Sequence, residues 1–347
     1  MDLGKYQRFL TRAQKRHSAF HGDAANFRKL IRVCLDNFRP VTEPFVLISQ
    51  IQRSGGSLLS QLFDGHPEVH AHPHEFKIGY PKKDNWPPIE LNDRPERWFE
   101  ILFEETSIRL FEEGYRKERA SKTTYPFIFL PALQKQIFLT YLKILPSCGL
   151  RDIFNAYMTS YFGAWLNNQN YSGQKRLVIG FTPRLSDHVQ NMERFFEVYP
   201  DGRLISVLRN PQDWFPSAFR HNVKIKKDKY GEIRKALDQW CTSARAIVRN
   251  KSRYAERVCI IRFEDLVQDT DRIMRLLADF IRIEFDERLL TPTFNRNLIQ
   301  ANSSFDNCEP GIIRDTLGRH QALSLEEKYT IEEMTAEVYQ AALKHCR

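Results

Sequence analysis

Residues able to bind an anion are concentrated in one short loop, Arg53–Ser57, which reads Arg-Ser-Gly-Gly-Ser. An apolar run suited to a buried strand precedes it at 45–48, and leucines at helical spacing follow it at 58–62. The N–H groups of such a loop and the start of its helix converge on one small space, where the helix dipole favours negative charge. The loop supplies two glycines that allow close backbone approach, one cation and two hydroxyl donors: Gly55, Gly56, Arg53, Ser54 and Ser57. These residue types predict an anion site.

The loop differs from the phosphate loop of nucleoside triphosphatases, which ends in Gly-Lys followed by Ser or Thr. No Lys follows Gly56, and the early glycine of that loop is missing. Because the Lys reaches the outer phosphates and the hydroxyl holds magnesium, this departure argues against a kinase or an ATPase. An anion of lower charge that needs no metal fits better. The alternative, that Arg53–Ser57 is only the turn that enters a helix, stays open on these residues alone.

A second cluster that could do chemistry follows, with His70, His72 and His74 alternating before Glu75. In an extended segment the three imidazoles share one face, and a His-x-His pair can bind a metal ion. Metallohydrolases of that kind bring further Asp and His ligands at tight spacing, and the other histidines of the chain form no such pattern. Three interpretations stay open: metal ligands of a hydrolase, histidines of the core or surface, and a direct catalytic part for one of them.

The composition is that of an ordinary soluble globular protein with a basic balance: 347 residues, 42% hydrophobic, 27% charged and a net charge of +9. The charge points to anionic ligands and leaves a non-catalytic basic module for nucleic acid or anionic lipid as one alternative. No recognised nucleic-acid motif appears, and we expect neither a signal peptide nor a transmembrane segment. Six scattered cysteines without CxxC spacing predict reduced thiols, so we expect a cytoplasmic protein.

Short apolar runs alternate with helical patterns along the chain. The expected strands are 45–48, 177–181, 203–208 and 258–263. Because these strands have no polar face, they predict an α/β fold in which a central parallel sheet is covered by helices on both faces. Ligands bind beyond the carboxyl ends of such strands. Polar clusters follow three of these ends, at 53–57, 182–184 and 209–217, and their convergence favours the anion site over a simple helix-entry turn.

A single domain over 1–347 accounts for this pattern, with two additions. Residues 1–42 form a basic, helical N-terminal extension. Residues 77–170 open with a loop rich in Pro and Asp and continue as aromatic helices, so we expect a helical insertion that lines an acceptor site. Lysines interrupt its most apolar part, so peripheral membrane contact is only weakly indicated. Of the two arginines before the last helix, Arg314 and Arg319, the second is the better candidate for completing a phosphate site.

Three motifs together resemble a known family. Arg53-Ser-Gly-Gly-Ser-Leu-Leu, followed by His66-Pro-Glu-Val, resembles the 5′-phosphosulfate loop of sulfotransferases that use 3′-phosphoadenylyl sulfate (PAPS). Val-Leu-Arg209-Asn-Pro, with Ser217 eight residues after the arginine, resembles their 3′-phosphate motif. Arg262-Phe-Glu-Asp-Leu resembles the end of their last core strand. The resemblance covers residues 44–75 and 177–345.

One departure concerns a cation. Many relatives have Lys-Thr-Pro where this chain has Phe181-Thr-Pro. The part played by that Lys must therefore fall to Arg53 or Arg184, or be dispensed with.

The resemblance implies a P-loop-like sulfotransferase that moves a sulfuryl group in line from PAPS to a hydroxyl acceptor, releases 3′-phosphoadenosine 5′-phosphate (PAP) and needs no metal. The implied donor-binding residues are Arg53, Ser54, Gly55, Gly56, Ser57, Leu58, Arg209, Ser217 and Arg319. Arg53 is also implied in catalysis because the site must steady charge on the bridging oxygen. The implied general base is Glu75, with His74 and His72 behind it. The acceptor, whether carbohydrate, lipid or small molecule, stays open.

Overall fold

A computed structural model describes residues 24–76, 85–116, 123–224, 232–300 and 310–347. The chain divides into two compact units. Unit 1 comprises Met1–Thr42, Pro87–Arg116 and Lys122–Tyr171, and unit 2 comprises Glu43–Trp86, Lys117–Ser121 and Ser172–Arg347. The helices in chain order are α1 (Ala24–Asn37), α2 (Gly56–Leu62), α3 (Pro95–Leu102), α4 (Glu105–Glu113), α5 (Pro131–Ile144), α6 (Leu150–Ala164), α7 (Val189–Val198), α8 (Pro211–Lys224), α9 (Ile233–Tyr254), α10 (Phe263–Gln268), α11 (Thr270–Ile281) and α12 (Leu325–Leu343).

Unit 2 is built on a parallel sheet of five strands in the order β2-β3-β1-β4-β5. The strands are β1 (Phe45–Ile48), β2 (Val69–Glu75), β3 (Leu177–Phe181), β4 (Arg203–Leu208) and β5 (Val258–Arg262). Two further strands, β6 (Thr293–Phe294) and β7 (Asn297–Leu298), form a separate hairpin. The predicted α/β fold with a central parallel sheet is confirmed, and β2 adds a strand that the sequence patterns did not identify.

Helices cover both faces of this sheet because its strands are apolar on both sides. Val46 and Ile48 of β1 lie in one core with buried residues of α2, α10 and α11. On the other face, the Phe45 ring packs against Phe195 of α7 at a centroid distance of 6.2 Å and against Tyr199 at 5.5 Å. The sheet is therefore fixed from both sides, and its carboxyl edge is a rigid base for the loops that follow the strands.

The strand β2 is irregular where the histidines lie. Ala71 pairs with Ile179 of β3, but the next pair is Glu75 with Phe181, so β2 contains extra residues at this point. Such a bulge breaks the alternation of side chains. The expectation that the three alternating histidines would share one strand face stays a prediction: the bulge interrupts the regular strand that it assumed, but the rings of His72 and His74 still contact each other, with 4.5 Å between their centroids.

Unit 1 consists of helices with a densely aromatic interior. Helix α5 packs against α6, and α1 and α3 pack on α5. Fully buried rings include Phe99, Phe129, Phe138 and Tyr161, so most of the aromatic residues in this region serve packing. The described part of 77–170 contains helices α3 to α6, while its assignment as an insertion that lines an acceptor site stays a prediction. Residues 77–84 and 117–122 lie outside the described residues. So does 1–23 of the predicted N-terminal extension, and the domain assignment itself stays a prediction.

Among the described residues, no helix combines the length and the apolar character that crossing a membrane requires.

Candidate functional site

The Arg53–Ser57 loop leaves the carboxyl end of β1 in a conformation that requires its glycines. Gly55 has a φ of +90° and Arg53 a φ of +68°, both in the left-handed region. A Cβ on Gly55 would overlap the Phe263 ring, and one on Gly56 would overlap the Gln50 amide and the Phe181 ring. Both glycines are therefore closely packed against other side chains of the protein, whereas close approach of an anion to this backbone stays a prediction. The loop lies directly on side chains from β3 and the β5 end.

The three polar clusters predicted at strand ends converge. Strands β3, β1 and β4 are neighbours, and hydrogen bonds join the segments that follow them. The Thr182 N–H donates to the Ile48 carbonyl at 3.0 Å, and the Arg184 N–H donates to Gln50 at 2.9 Å. From the β4 side, the Trp214 indole N–H donates to the Gln52 carbonyl at 2.8 Å. The anion loop is thus held between its two neighbours.

Arg209, the first residue after β4, reaches across to this loop. Its side chain is only 3% exposed. Nη1 donates to the Arg53 carbonyl at 2.7 Å, and Nη2 donates to the Thr316 carbonyl at 3.1 Å. The guanidinium lies over the Phe263 ring, 4.4 Å from its centroid. The two strand-end motifs therefore meet, with Arg209 as the link between them.

Positive charge is concentrated where the Arg53–Ser57 loop meets Arg209, a region that we call the junction. Burial, together with the nearby charges of Arg319 and Arg53, lowers the pKa of Arg209 to about 9, while Glu264 opposes the shift. Glu264 accepts a hydrogen bond from the Asn210 N–H at 2.9 Å, and burial raises its own pKa. Since only two buried carboxylates of the described residues, Glu264 and Asp213, oppose the lowering of the Arg209 pKa by burial and by two further arginines, an anion bound here would offset the cost of burying the Arg209 charge.

Several buried donors at the junction lack hydrogen-bond partners within the described part of the chain. They are the Ser54 hydroxyl, Nε of Arg209 and Nε2 of Gln50. Ser54 is 1% exposed and Gln50 is fully buried, with its Oε1 accepting from the Val207 N–H at 3.4 Å. Buried donors are normally satisfied. Their concentration beside an arginine cluster fits a site that receives its remaining acceptors from an anionic ligand.

Comparison with known proteins agrees with this geometry. The model of the sulfotransferase family matches residues 44–287. The chain belongs to the sulfotransferase family. A curated relative, protein-tyrosine sulfotransferase A of Caenorhabditis elegans, is 22% identical over 298 residues, which is 84% of this chain. This chain spans only 64% of the length of that relative.

A solved structure shares the fold. The sulfotransferase domain of the olefin synthase from Synechococcus PCC 7002 superposes with a TM-score of 0.53 at 20% identity, over 89% of this chain and 96% of that domain. A mouse sulfotransferase complexed with PAP gives a TM-score of 0.41 at 10% identity, over 91% of this chain and 94% of the mouse chain.

The remaining donor-site residues of this sulfotransferase-family chain are placed as follows. Ser57 and Leu58 lie half-buried in the first turn of α2. Ser217 lies on α8 and is buried. Arg319 is half-buried at the start of a short 3-10 turn, close enough to Arg209 to affect its charge, whereas Arg314 is exposed. The preference for Arg319 over Arg314 agrees with these positions.

The candidate bases lie at the carboxyl end of β2. Glu75 pairs with Phe181 of β3, which in turn pairs with Ile48 of β1. At a spacing of ~5 Å between strands, the Glu75 backbone is ~10 Å from that of β1. Nδ1 of His72 faces the His74 carbonyl and Nδ1 of His74 faces the Glu75 carbonyl, each at 2.9 Å. Because a carbonyl only accepts, each Nδ1 carries a proton, so Nε2 is the basic nitrogen of the neutral ring.

Where relatives carry a Lys, Phe181 is buried and its ring packs against Gly56. Arg184 pairs with Asp187, with 3.4 Å between Nε and Oδ2. This pairing makes Arg184 a poor substitute for the Lys. Arg53, within the loop itself, is the better placed of the two cations.

Sequence reasoning missed four residues that shape the site: Gln50, Phe263, Asp213 and Thr316. Phe263 belongs to the Arg-Phe-Glu-Asp-Leu motif, which was a usable signal. Nothing in the local sequence of the other three indicates a role, because each acts on residues far away in the chain.

Proposed function

We propose that this protein transfers a sulfuryl group from PAPS to a hydroxyl acceptor. One observation carries the proposal: the arginine cluster of Arg53, Arg209 and Arg319 lies beside buried donors that lack partners in the described residues. Membership of the sulfotransferase family supports this reaction over the alternatives. Neither a metal-dependent hydrolase nor a non-catalytic anion-binding module is favoured by any comparison.

The donor would be bound both at its 5′-phosphosulfate and at its 3′-phosphate. The N–H groups of the loop from Ser54 to Leu58, with Arg53 and the hydroxyls of Ser54 and Ser57, would hold the 5′-phosphosulfate. Arg209, Ser217 and Arg319 would hold the 3′-phosphate. Because each Nη of Arg209 already donates one hydrogen to a backbone carbonyl, while its Nε has no partner in the described residues, we assign the phosphate contact to Nε and to the charge of the guanidinium. The 3′-phosphate is what separates this donor from ATP.

The transfer itself needs a proton acceptor and charge stabilisation. The acceptor oxygen forms a bond to sulfur while the bond from sulfur to the 5′-phosphate oxygen breaks, so PAP leaves with that electron pair. Arg53 would stabilise the charge that develops on this oxygen. The base would take the acceptor's proton. Atoms and charge balance without a metal ion.

We assign the base to Glu75, with His74 and His72 as the next candidates. Glu75 is half-buried at the end of β2 and level with the end of β1. Nε2 of either histidine is the chemically competent alternative, as the carbonyl contacts of Nδ1 require. The base therefore comes from the β2 end, whichever of the three side chains supplies it.

The acceptor would be a hydroxyl of a carbohydrate, a lipid or a small molecule, and the helices of 77–170 would line its site. The tyrosine named for the Caenorhabditis elegans relative adds a phenol to that range. We place the reaction in the cytoplasm, because the five cysteines of the described residues are free thiols.

The decisive experiment compares Arg209→Ala with wild type in calorimetric binding of PAP and of 5′-AMP, which lacks the 3′-phosphate. We expect PAP affinity to fall ~10–100-fold, the loss of one charge-assisted hydrogen bond, while 5′-AMP affinity changes much less. Arg203→Ala is the matched control, since Arg203 also stacks on a ring and donates to a carbonyl but lies at the opposite end of β4. An equal loss for both nucleotides would contradict the assignment.

A further inference from the structure

A segment before the last helix covers the arginine cluster. We call residues 310–323 the C-terminal strap. One end is fixed where the Gly311 N–H donates to the Ile299 carbonyl at 3.1 Å, and the other ends at Leu323, which is buried before α12. Between these points most described strap residues are half-buried. The strap is therefore a packed part of unit 2.

The strap brings two groups to Arg209. The Thr316 carbonyl accepts from Nη2 at 3.1 Å. Three residues later Arg319 adds a positive charge, close enough to disfavour the charged form of Arg209. Two like charges are thus held together although they repel. Besides the packing of Ile312 and Leu317 on the core, a polar contact that holds the strap next to Arg319 would offset this repulsion.

Asp213 makes that contact. It lies in the first turn of α8 and is 5% exposed. One oxygen, Oδ1, accepts two hydrogen bonds from His320: the backbone N–H at 2.9 Å and the Nδ1 at 3.0 Å. His320 directly follows Arg319, so the double contact fixes the backbone next to the arginine.

We infer that Asp213 is a positioning residue that fixes the C-terminal strap over Arg209 and thereby gives the donor site its selectivity for a 3′-phosphate. The inference rests on the proposed function. A carboxylate near a phosphate site lowers anion affinity through its charge. The charge of Asp213 also favours the charged form of Arg209, whereas its hydrogen bonds position the backbone beside Arg319. Replacing Asp213 by Ala and by Asn separates these two effects.

The experiment measures the binding of PAP and 5′-AMP by calorimetry for variants of the full chain. Asp213→Ala releases the strap, so we expect PAP affinity to fall about tenfold, as for loss of one charged contact, with 5′-AMP affinity within about twofold of wild type. Asp213→Asn keeps an oxygen that accepts both hydrogen bonds and removes the charge. We expect this variant to bind PAP at least as well as wild type. If Asp213 served only packing, Asp213→Ala would instead weaken the binding of PAP and of 5′-AMP alike.

A double-mutant cycle with Arg319→Ala tests whether Asp213 acts through Arg319. If Asp213 acts through Arg319, adding Asp213→Ala to Arg319→Ala gives no further loss of PAP affinity. His320→Ala keeps the backbone hydrogen bond to Asp213 and removes the one from the ring, so it should lower PAP affinity less than Asp213→Ala does. It replaces Asp213→Ala in the comparison if that variant does not fold. Arg314→Ala is the matched control, because Arg314 is an exposed arginine of the same strap, and should bind both nucleotides as wild type does.

The outcomes separate this inference from the proposed function. If wild type prefers PAP to 5′-AMP and Asp213→Ala keeps that preference, the inference is overturned and the function stands. Additive losses in the cycle overturn it as well. If wild type shows no preference for PAP, the proposed function and the inference fall together.

Discussion

Replacing Gly55 by Ala tests the packing that shapes the anion loop. Two costs are expected. The residue has a φ of +90°, a conformation that costs a residue with a side chain ~1–3 kcal/mol. The added methyl would also lie well under 3.0 Å from the Phe263 ring, and overpacking of this kind costs a further ~1–3 kcal/mol. We expect Gly55→Ala to lower the free energy of unfolding by ~2–6 kcal/mol.

Gly311 provides a control that carries only one of these costs. Its φ is +93°, and a Cβ there would meet no atom of the described residues within 4 Å. Gly311→Ala should therefore cost only the conformational ~1–3 kcal/mol. The difference between the two variants, measured by urea denaturation with linear extrapolation, isolates the contact between Gly55 and Phe263.

A second variant removes the steric overlap between a side chain at position 55 and the Phe263 ring. Phe263→Leu shortens the side chain, so the double variant Gly55→Ala/Phe263→Leu should recover the steric part, a coupling of ~1–3 kcal/mol. Phe263→Leu and the double variant both lose the ring beneath Arg209, so the free-energy cost of that loss cancels in the double-mutant cycle. Equal costs for the Gly55 and Gly311 variants, or no coupling with Phe263, would refute the reasoning that this ring shapes the loop.

Two further predictions concern catalysis. Glu75→Gln should lower turnover by ~10²–10⁴-fold, the usual contribution of a general base, with donor affinity near that of wild type; unchanged turnover would assign the base to His74 or His72, to be tested as Asn variants. Treatment with EDTA should leave sulfuryl transfer to a phenolic or sugar acceptor intact, measured with labelled PAPS. Activity that is lost on chelation and restored by added zinc would instead support the histidine-cluster hydrolase.

Four core strands and the anion loop could be predicted because their signals are local. An apolar run with no polar face specifies a buried strand wherever it lies, and β1, β3 and β4 match their predicted bounds. The meeting of the Arg53 and Arg209 motifs followed from a general property of parallel sheets, whose neighbouring carboxyl ends share one edge.

The β2 histidines show where local reasoning stops. Alternating residues predict a shared face only if the strand is regular, and pairing with β3 forces a bulge between Ala71 and Glu75. His72 and His74 nevertheless stay in ring contact, with 4.5 Å between their centroids, and Nδ1 of each faces a backbone carbonyl. No sequence pattern specified that irregularity.

The chain by itself determined the kind of site: a glycine loop after a buried strand, an arginine after a neighbouring one, and no Gly-Lys followed by Ser or Thr in the loop. Tertiary structure decided how the site is held. Arg209 binds the Arg53 carbonyl from 156 residues away and the Thr316 carbonyl from 107 residues away. The physical reason is that periodicity and backbone chemistry are properties of adjacent residues, whereas the partners that bury and orient a charge are chosen by packing between distant ones.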